Sequence, residues 1–325
     1  MTPQTNRIEY FDRQTGALCR ETVMGDAAVQ WAYQSLSGKI CAPLLFGASL
    51  PSRILGWYFN SLLSKPKIQK TITALKIDAS EFATSPDQFC SFNHFFIRKL
   101  KDGARPIPSD TECFLSPADG RLLVYQDMQG DSPVHVKGVD SPLRYLFDTP
   151  IDNFNDGDAA VVRLCPADYH RFHFPCDGRV TAQVSVKGQY HSVNPIALRA
   201  RKRIFCRNRR AYTLIETEKF GEIAFMEIGA FGVAGIHQTY TGTMVQRMQE
   251  KGYFDFGGST IVLLFQKNRI IFDADLLANS AGGIETLVKA GERIALPITQ
   301  LAAACLATGR QPNKFVQYAD ALRSD

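Results

Sequence analysis

Gly257-Gly258-Ser259-Thr260-Ile261-Val262-Leu263-Leu264-Phe265 decides how this chain folds. Five consecutive apolar residues of β-branched, leucine and aromatic type read as a strand. Two glycines stand in front of it. They remove the side chains on either side of a peptide bond, so the backbone can bend there and be approached closely. Ser259 carries a hydroxyl beside its own preceding carbonyl. Upstream, aromatics alternate in Tyr253-Phe254-Asp255-Phe256. Two readings of the junction are open on this segment alone. One is a hairpin turn or bulge of the Gly-Gly type. The other is a serine that attacks the peptide bond before it.

Working outward, similar short β-type runs recur from about Pro106. They fall at 121–126, 159–164, 179–186, 211–217, 222–228, 243–248, 259–265 and 269–272, separated by turn residues. Before Pro106 the texture is helical. Residues 1–20 are polar, with a turn at Arg13-Gln14-Thr15-Gly16. Ala27, Ala28, Trp31, Ala32 and Leu36 fall at helical spacing over 26–36. Residues 44–63 are strongly apolar, with Ile54, Leu55, Trp57, Tyr58, Leu62 and Leu63 flanked by Arg53, Lys65, Lys67 and Lys70. Such a segment suits either a membrane interface or the protein's own core. Ser91 is a candidate N-cap for a helix carrying Phe92, Phe95, Phe96 and Leu100 on one face, with Arg98, Lys99 and Lys101 at its basic end. Residues 278–307 return to a mixed pattern, and the tail from 311 is polar. The expected fold is α+β: a helical region over 1–105 packed beside a mainly antiparallel, β-rich domain over 106–325.

The chain has 325 residues, 45% hydrophobic and 21% charged, which is an ordinary globular composition with enough apolar material for a sizeable core. A net charge of +5 suits an anionic partner without requiring one. The eight cysteines are scattered with no Cys-x-x-Cys pair, which reads as buried thiols and not as a disulfide or zinc framework. Residues 1–13 are polar and lack the apolar stretch of a signal peptide. No run reaches the ~18 apolar residues of a membrane-spanning helix.

Three further segments carry chemistry. Ser116-Pro117-Ala118-Asp119-Gly120 sets a carboxylate in a tight turn, where it either caps backbone amides or serves a site. Asp168-Tyr169-His170-Arg171-Phe172-His173-Phe174-Pro175 holds two histidines three apart. They share a side in a helical turn and oppose each other in a strand. Histidine suits proton transfer near neutral pH. A metal is not expected, because no third His or Cys stands at ligand spacing beside the pair and Asp119. Residues 196–210 contain seven cations, among them Arg199, Arg209 and Arg210, and form either a solvated loop or a phosphate-binding surface. No stacking platform for nucleic acid accompanies them beyond Phe205 and Tyr212, and no nucleic-acid partner is expected.

Taken together these segments resemble the phosphatidylserine decarboxylase proenzymes. The resemblance rests on Phe95-Phe96-Ile97-Arg98-Lys99-Leu100-Lys101 with Ala104-Arg105-Pro106, on Pro117-Ala118-Asp119-Gly120, on Tyr169 to Pro175, and on Gly257-Gly258-Ser259-Thr260, all in the family's order. It extends from about Ile8 to Leu276. The Gly-Gly-Ser-Thr motif resembles one bacterial branch, where other members have Leu-Gly-Ser-Thr. Arg247-Met248-Gln249 departs from the usual Lys-Gly pair.

The resemblance implies cleavage between Gly258 and Ser259, giving a β chain of residues 1–258 and an α chain of 259–325. It implies a covalent pyruvoyl cofactor made from Ser259, and conversion of phosphatidylserine to phosphatidylethanolamine and carbon dioxide. By the same resemblance His173, oriented by Asp119, is the base for Ser259, and His170 serves the later proton transfer. Arg199, Arg209 and Arg210 are candidates for binding substrate. The expected setting is the cytoplasmic face of the cell membrane, with the enzyme held peripherally on anionic lipid; a homo-oligomer is left open.

Overall fold

A computed structural model describes residues 9–21, 49–128, 133–136, 139–142, 147, 152–188, 208–232 and 235–299. The expected helix at 26–36, residues 44–48 of the apolar segment and Arg199 lie outside these described residues.

The chain is mostly β, with few helices. In order, its strands are β1 (Glu9–Asp12), β2 (Ala17–Arg20), β3 (Phe114–Leu115), β4 (Gly120–Met128), β5 (Pro133–Val136), β6 (Val139–Pro142), β7 (Gly157–Leu164), β8 (Arg171–His173) and β9 (Gly178–Val186). They continue with β10 (Arg210–Thr217), β11 (Gly221–Gly232), β12 (Ile236–Gln238), β13 (Met244–Val245), β14 (Glu250–Phe254), β15 (Gly257–Phe265), β16 (Ile270–Phe272), β17 (Glu285–Val288) and β18 (Arg293–Pro297). Among the described residues the α-helices are α1 (Ser49–Asn60), α2 (Lys67–Leu75), α3 (Phe92–Phe96) and α4 (Ala274–Ala281).

Ten strands form one sheet in the order β13-β9-β10-β11-β15-β7-β4-β17-β1-β2. Its pairs are antiparallel except β1 with β17. The run quoted at the outset is β15, inside this sheet between β11 and β7. Ile261 to Phe265 are all buried to within 1%. A continuous apolar run, not an alternating one, is what a strand covered on both faces requires. Each such side chain contributes about 1.5–3 kcal/mol of burial. Ile261, Leu263 and Phe265 join a core with Leu122, Val162, Phe172 and Phe225.

The N-terminal region departs from the expected pattern. Residues 9–20 are a hairpin added to the large sheet, with the anticipated turn between its strands. Ser91 does cap a helix, its hydroxyl accepting from His94 N at 3.1 Å. That helix ends at Phe96, however, well short of Leu100. Arg98 is therefore not at a solvated basic end. It is buried, donating through Nη2 to the carbonyls of Ala167 and Asp168 at 2.9 and 3.0 Å. Its guanidinium lies over the rings of Phe82 and Phe95. A second apolar cluster gathers Ile68, Ile72, Phe82, Phe89, Phe92, Phe95 and Phe96, with Phe59 and Phe256 against it.

Candidate active site

Ser259 is the third residue of β15. It faces Leu164 of β7 on one side and Gly229 of β11 on the other. Just before it the ladder breaks: Gly229 pairs Ser259, but the next partners are Gly232 and Gly257. Three steps on β11 thus oppose two on β15. This bulge leaves the peptide between Gly258 and Ser259 beside a locally disrupted ladder. Gly257 has φ 153, in the region that side chains disfavour. The bulge expected of the Gly-Gly pair is thus present, immediately before the Ser259 hydroxyl.

Ser259 is 1% exposed, and its Oγ lies 3.2 Å from His170 Nδ1. The other ring nitrogen, Nε2, is 3.0 Å from the carbonyl oxygen of Cys165. A carbonyl can only accept, so Nε2 carries the hydrogen and Nδ1 presents its lone pair to the serine. The ring is fully buried and stacked on Phe96, centroids 3.8 Å apart. Burial, helped by the positive charge of Arg98, pushes the imidazole down to about 3, against the opposing pull of Asp168. His170 is therefore neutral at ordinary pH. The loop before it is held by Asp168, whose carboxylate accepts from Arg121 at 2.5 Å and from Cys165 N at 2.6 Å.

Among the described residues no side-chain hydrogen bond joins Asp119, His173 and Ser259 into the expected relay, although the Asp119 carboxylate acts on the His173 imidazole through its charge. His170, just before β8, and Phe172 within it are fully buried, whereas His173, at the end of β8, is only partly so. The side chain hydrogen-bonded to Ser259 is His170, where the resemblance implied His173. His173 donates its backbone N–H to Pro117 O at 2.8 Å and stacks on Tyr169. Its Nδ1 is buried without a hydrogen-bond partner among the described residues. Burial lowers the pKa of this imidazole, with Glu250 and Asp119 opposing.

Asp119 is not hydrogen-bonded to either histidine among the described residues. Its Oδ1 accepts from Arg105 Nε at 2.8 Å and from Ala290 N at 2.9 Å. Its Oδ2 accepts from Arg105 Nη2 at 2.5 Å. Arg105 also spans Glu81, and Lys289 Nζ stands 3.6 Å from Asp119. Asp119 thus both caps a backbone amide, as its turn suggested, and belongs to a charged cluster. Arg209 is exposed, whereas Arg210 is buried in β10 with Nη1 3.3 Å from Asn208 O. The expected cationic patch is therefore not continuous across these two. Sequence reasoning missed Asn93, Asp168 and the Cys165 carbonyl. Only Asn93 left a signal, as the polar residue inside the aromatic Phe92-Asn93-His94-Phe95-Phe96.

The fold and site define a class of protein in which a buried serine stands at a backbone bulge, hydrogen-bonded to a histidine. The phosphatidylserine decarboxylase family model matches residues 92–296, and the chain belongs to that family. It is 41% identical over 294 residues to the phosphatidylserine decarboxylase proenzyme of Fusobacterium nucleatum, covering 88% of this chain and 97% of that protein. It is 42% identical over 290 residues to the proenzyme of Clostridium botulinum strain Langeland, covering 88% and 98%. The corresponding protein of Clostridium beijerinckii is 38% identical over 290 residues.

Proposed function

We propose that this chain is a self-cleaving phosphatidylserine decarboxylase whose processing is carried by Ser259, with His170 as the group that receives its proton. The observation that carries this reading is the 3.2 Å approach of Ser259 Oγ to an imidazole nitrogen whose lone pair is free, beside a glycine bulge.

Ser259 Oγ attacks the Gly258 carbonyl, and the peptide C–N bond gives way to an ester. The attack is intramolecular, so proximity supplies much of its rate. A serine hydroxyl needs a base, and a neutral His170 is in place to be one. β-Elimination then breaks the Cβ–O bond of residue 259 and its Cα–H bond, releasing the chain that ends in the Gly258 carboxylate. Water replaces the nitrogen of residue 259, ammonia leaves, and a pyruvoyl group remains. Ser259 fits that conversion because its Oγ is buried among side chains and backbone and not spread into solvent. The pyruvoyl carbonyl supplies the electron sink for decarboxylation of an amino-acid headgroup. His170 stays next to that position after cleavage and is suited to the later proton transfer. Asp119 acts through Arg105 and the Lys289–Ala290 segment, holding the wall of the site.

The substrate is phosphatidylserine in an anionic membrane surface, and the protein binds it peripherally, on the cytoplasmic side. Support comes from α1 and the turn after it. Trp57, Leu62 and Leu63 are 70%, 72% and 69% exposed, and the exposed Lys65, Lys67 and Lys70 follow them in the chain. Exposed apolar side chains followed by lysines match an interfacial helix. Among the described residues no helix is long and apolar enough to cross a membrane.

Ser259→Ala is the direct test. The unaltered protein should run as fragments of about 29 and about 7 kDa, from 36.2 kDa divided at residue 258. Ser259→Ala should stay whole and inactive. Intact mass of the small fragment should show the pyruvoyl terminus. His170→Ala should leave uncut precursor, whereas His173→Ala should cut; an uncut His173→Ala with a normally cut His170→Ala would return the base role to His173. Splitting of Ser259→Ala after Gly258 would overturn the reading.

A further inference from the structure

The residues just upstream of the proposed cleavage point are gripped by the helical part of the chain. Asn93, in α3, is 4% exposed. Its Oδ1 accepts the backbone N–H of Phe256 at 2.9 Å. Its Nδ2 donates to Asp255 Oδ1 at 3.1 Å and to Asn60 Oδ1, at the end of α1, at 3.0 Å. The partners fix the orientation of this amide: an N–H must face oxygen, and a carboxylate must face the NH2 group. Asp255 is held from the other side as well. Its Oδ2 is 2.7 Å from His237 Nε2, and its backbone N–H donates to Gly235 O at 3.0 Å. A side chain at Gly235 would put a Cβ 2.1 Å from Asp255 Oδ2, so the approach is as close as glycine allows.

The Phe256 ring completes the grip. It lies 4.1 Å from Phe59, 5.0 Å from Phe92 and 5.1 Å from Phe96, centroid to centroid. Phe96 is the same ring that stacks on His170. One aromatic cluster therefore touches both the segment that carries the Gly258 carbonyl and the imidazole that faces Ser259. Between Phe256 and Ser259 stand only Gly257 and Gly258, the residues with the greatest backbone freedom. Left alone, that pair would sample many orientations of the carbonyl. Pinning the Phe256 N–H on one side and the Ser259 ladder on the other removes most of them.

We propose that Asn93 is a positioning residue for self-cleavage: through Asp255 and Phe256 it holds the Gly258 carbonyl in range of Ser259. This rests on the reading of Gly258–Ser259 as the cleaved bond. Misplacing a reacting group by about 1 Å can cost on the order of 100-fold in rate. The effect should therefore appear in the rate of cleavage of the folded protein.

The experiment is cell-free synthesis of the full chain with a pulse of labelled amino acid, following precursor loss on a gel. Asn93→Asp keeps the acceptor for Phe256 N–H but turns an oxygen toward the Asp255 carboxylate. It should slow cleavage by about 10-fold or more. Adding Asp255→Asn restores a donor opposite the introduced carboxylate and should recover most of the rate. Melting midpoints of the same variants, measured in the Ser259→Ala background, give the stability lost to the introduced carboxylate, and cleavage is timed well below the lowest of them, so that every variant is folded during the assay. Cleavage of Asn93→Asp at the unaltered rate overturns the proposal. So does a double variant no faster than the single one, with melting falling in step, because that is the behaviour of a merely structural residue. Should Asn93→Asp not fold in the Ser259→Ala background, Phe256→Leu is read instead. It leaves all three Asn93 bonds and loosens the ring, so slowed cleavage supports the proposal and an unaltered rate overturns it. Failure of the cleavage reading itself is separate: it appears as splitting of Ser259→Ala, whatever Asn93 does.

Discussion

The neutral state of His170 has a measurable cost in acid. In the native protein burial holds this imidazole at about 3, against 6.5 for the free side chain. Above pH 6.5 the ring is neutral folded or unfolded, and titration contributes nothing. As pH falls below 6.5 the unfolded chain takes up a proton that the native state refuses. Stability then drops with falling pH until the native ring titrates near 3. At about 1.36 kcal/mol per pKa unit, the move from pH 7 to pH 5 should remove about 2 kcal/mol, and the whole window about 5 kcal/mol. The assay is urea unfolding of uncut Ser259→Ala protein at pH 7 and pH 5, beside Ser259→Ala with His170→Gln. Glutamine does not titrate, and whatever packing it loses is lost at both pH values. His173, also lowered by burial, is present in both proteins and cancels. The protein with His170 should lose about 2 kcal/mol more between the two pH values. Equal losses would mean that His170 titrates normally, and the argument for a neutral base facing Ser259 would fail.

Two other outcomes follow from the structure. Lys251 and Glu227 form a wholly buried ion pair at 2.5 Å, so Lys251→Met should cost about 3–5 kcal/mol in urea unfolding by stranding the carboxylate; adding Glu227→Gln should return part of it, and a loss below about 1 kcal/mol would refute the pairing. Replacing Trp57, Leu62 and Leu63 with serine should abolish the salt-resistant part of binding to anionic vesicles and leave cleavage intact, while complete release of the unaltered protein by salt would count against a membrane face.

Much of the sheet was legible because its inner strands are long and apolar. The expected run at 121–126 is β4 over Gly120–Met128, 159–164 is β7 over Gly157–Leu164, and 259–265 is β15 over Gly257–Phe265. Strands of two to five residues that mix charge and aromatics, such as β8 and β14, gave no such signal; neither did α4, whose start lies before the mixed stretch read from 278. The site divides in the same way. Ser259, Gly258, Asp119 and both histidines declared themselves by residue type and neighbours. Which histidine meets the serine did not, since that depends on the loop from Cys165, which fixes the His170 ring against β15. Nor did the choice of Arg105 as the partner of Asp119, which depends on a turn folding back against the sheet.

The place of β15 has a consequence for what the protein is after it is cut. The Gly258–Ser259 bond proposed for cleavage lies within β15, near its start, and that strand is bonded on both flanks, to β11 and to β7. The fragment beginning at residue 259 also supplies β17, which joins β4 to β1, and β18, which pairs β3. Pieces made by a cut there would not meet as subunits with a surface between them. They would share one interior, and parting them would mean opening the sheet through its middle. Dilution would have no simple dissociation to drive, and the cut molecule would keep its one-to-one composition by the same forces that keep it folded.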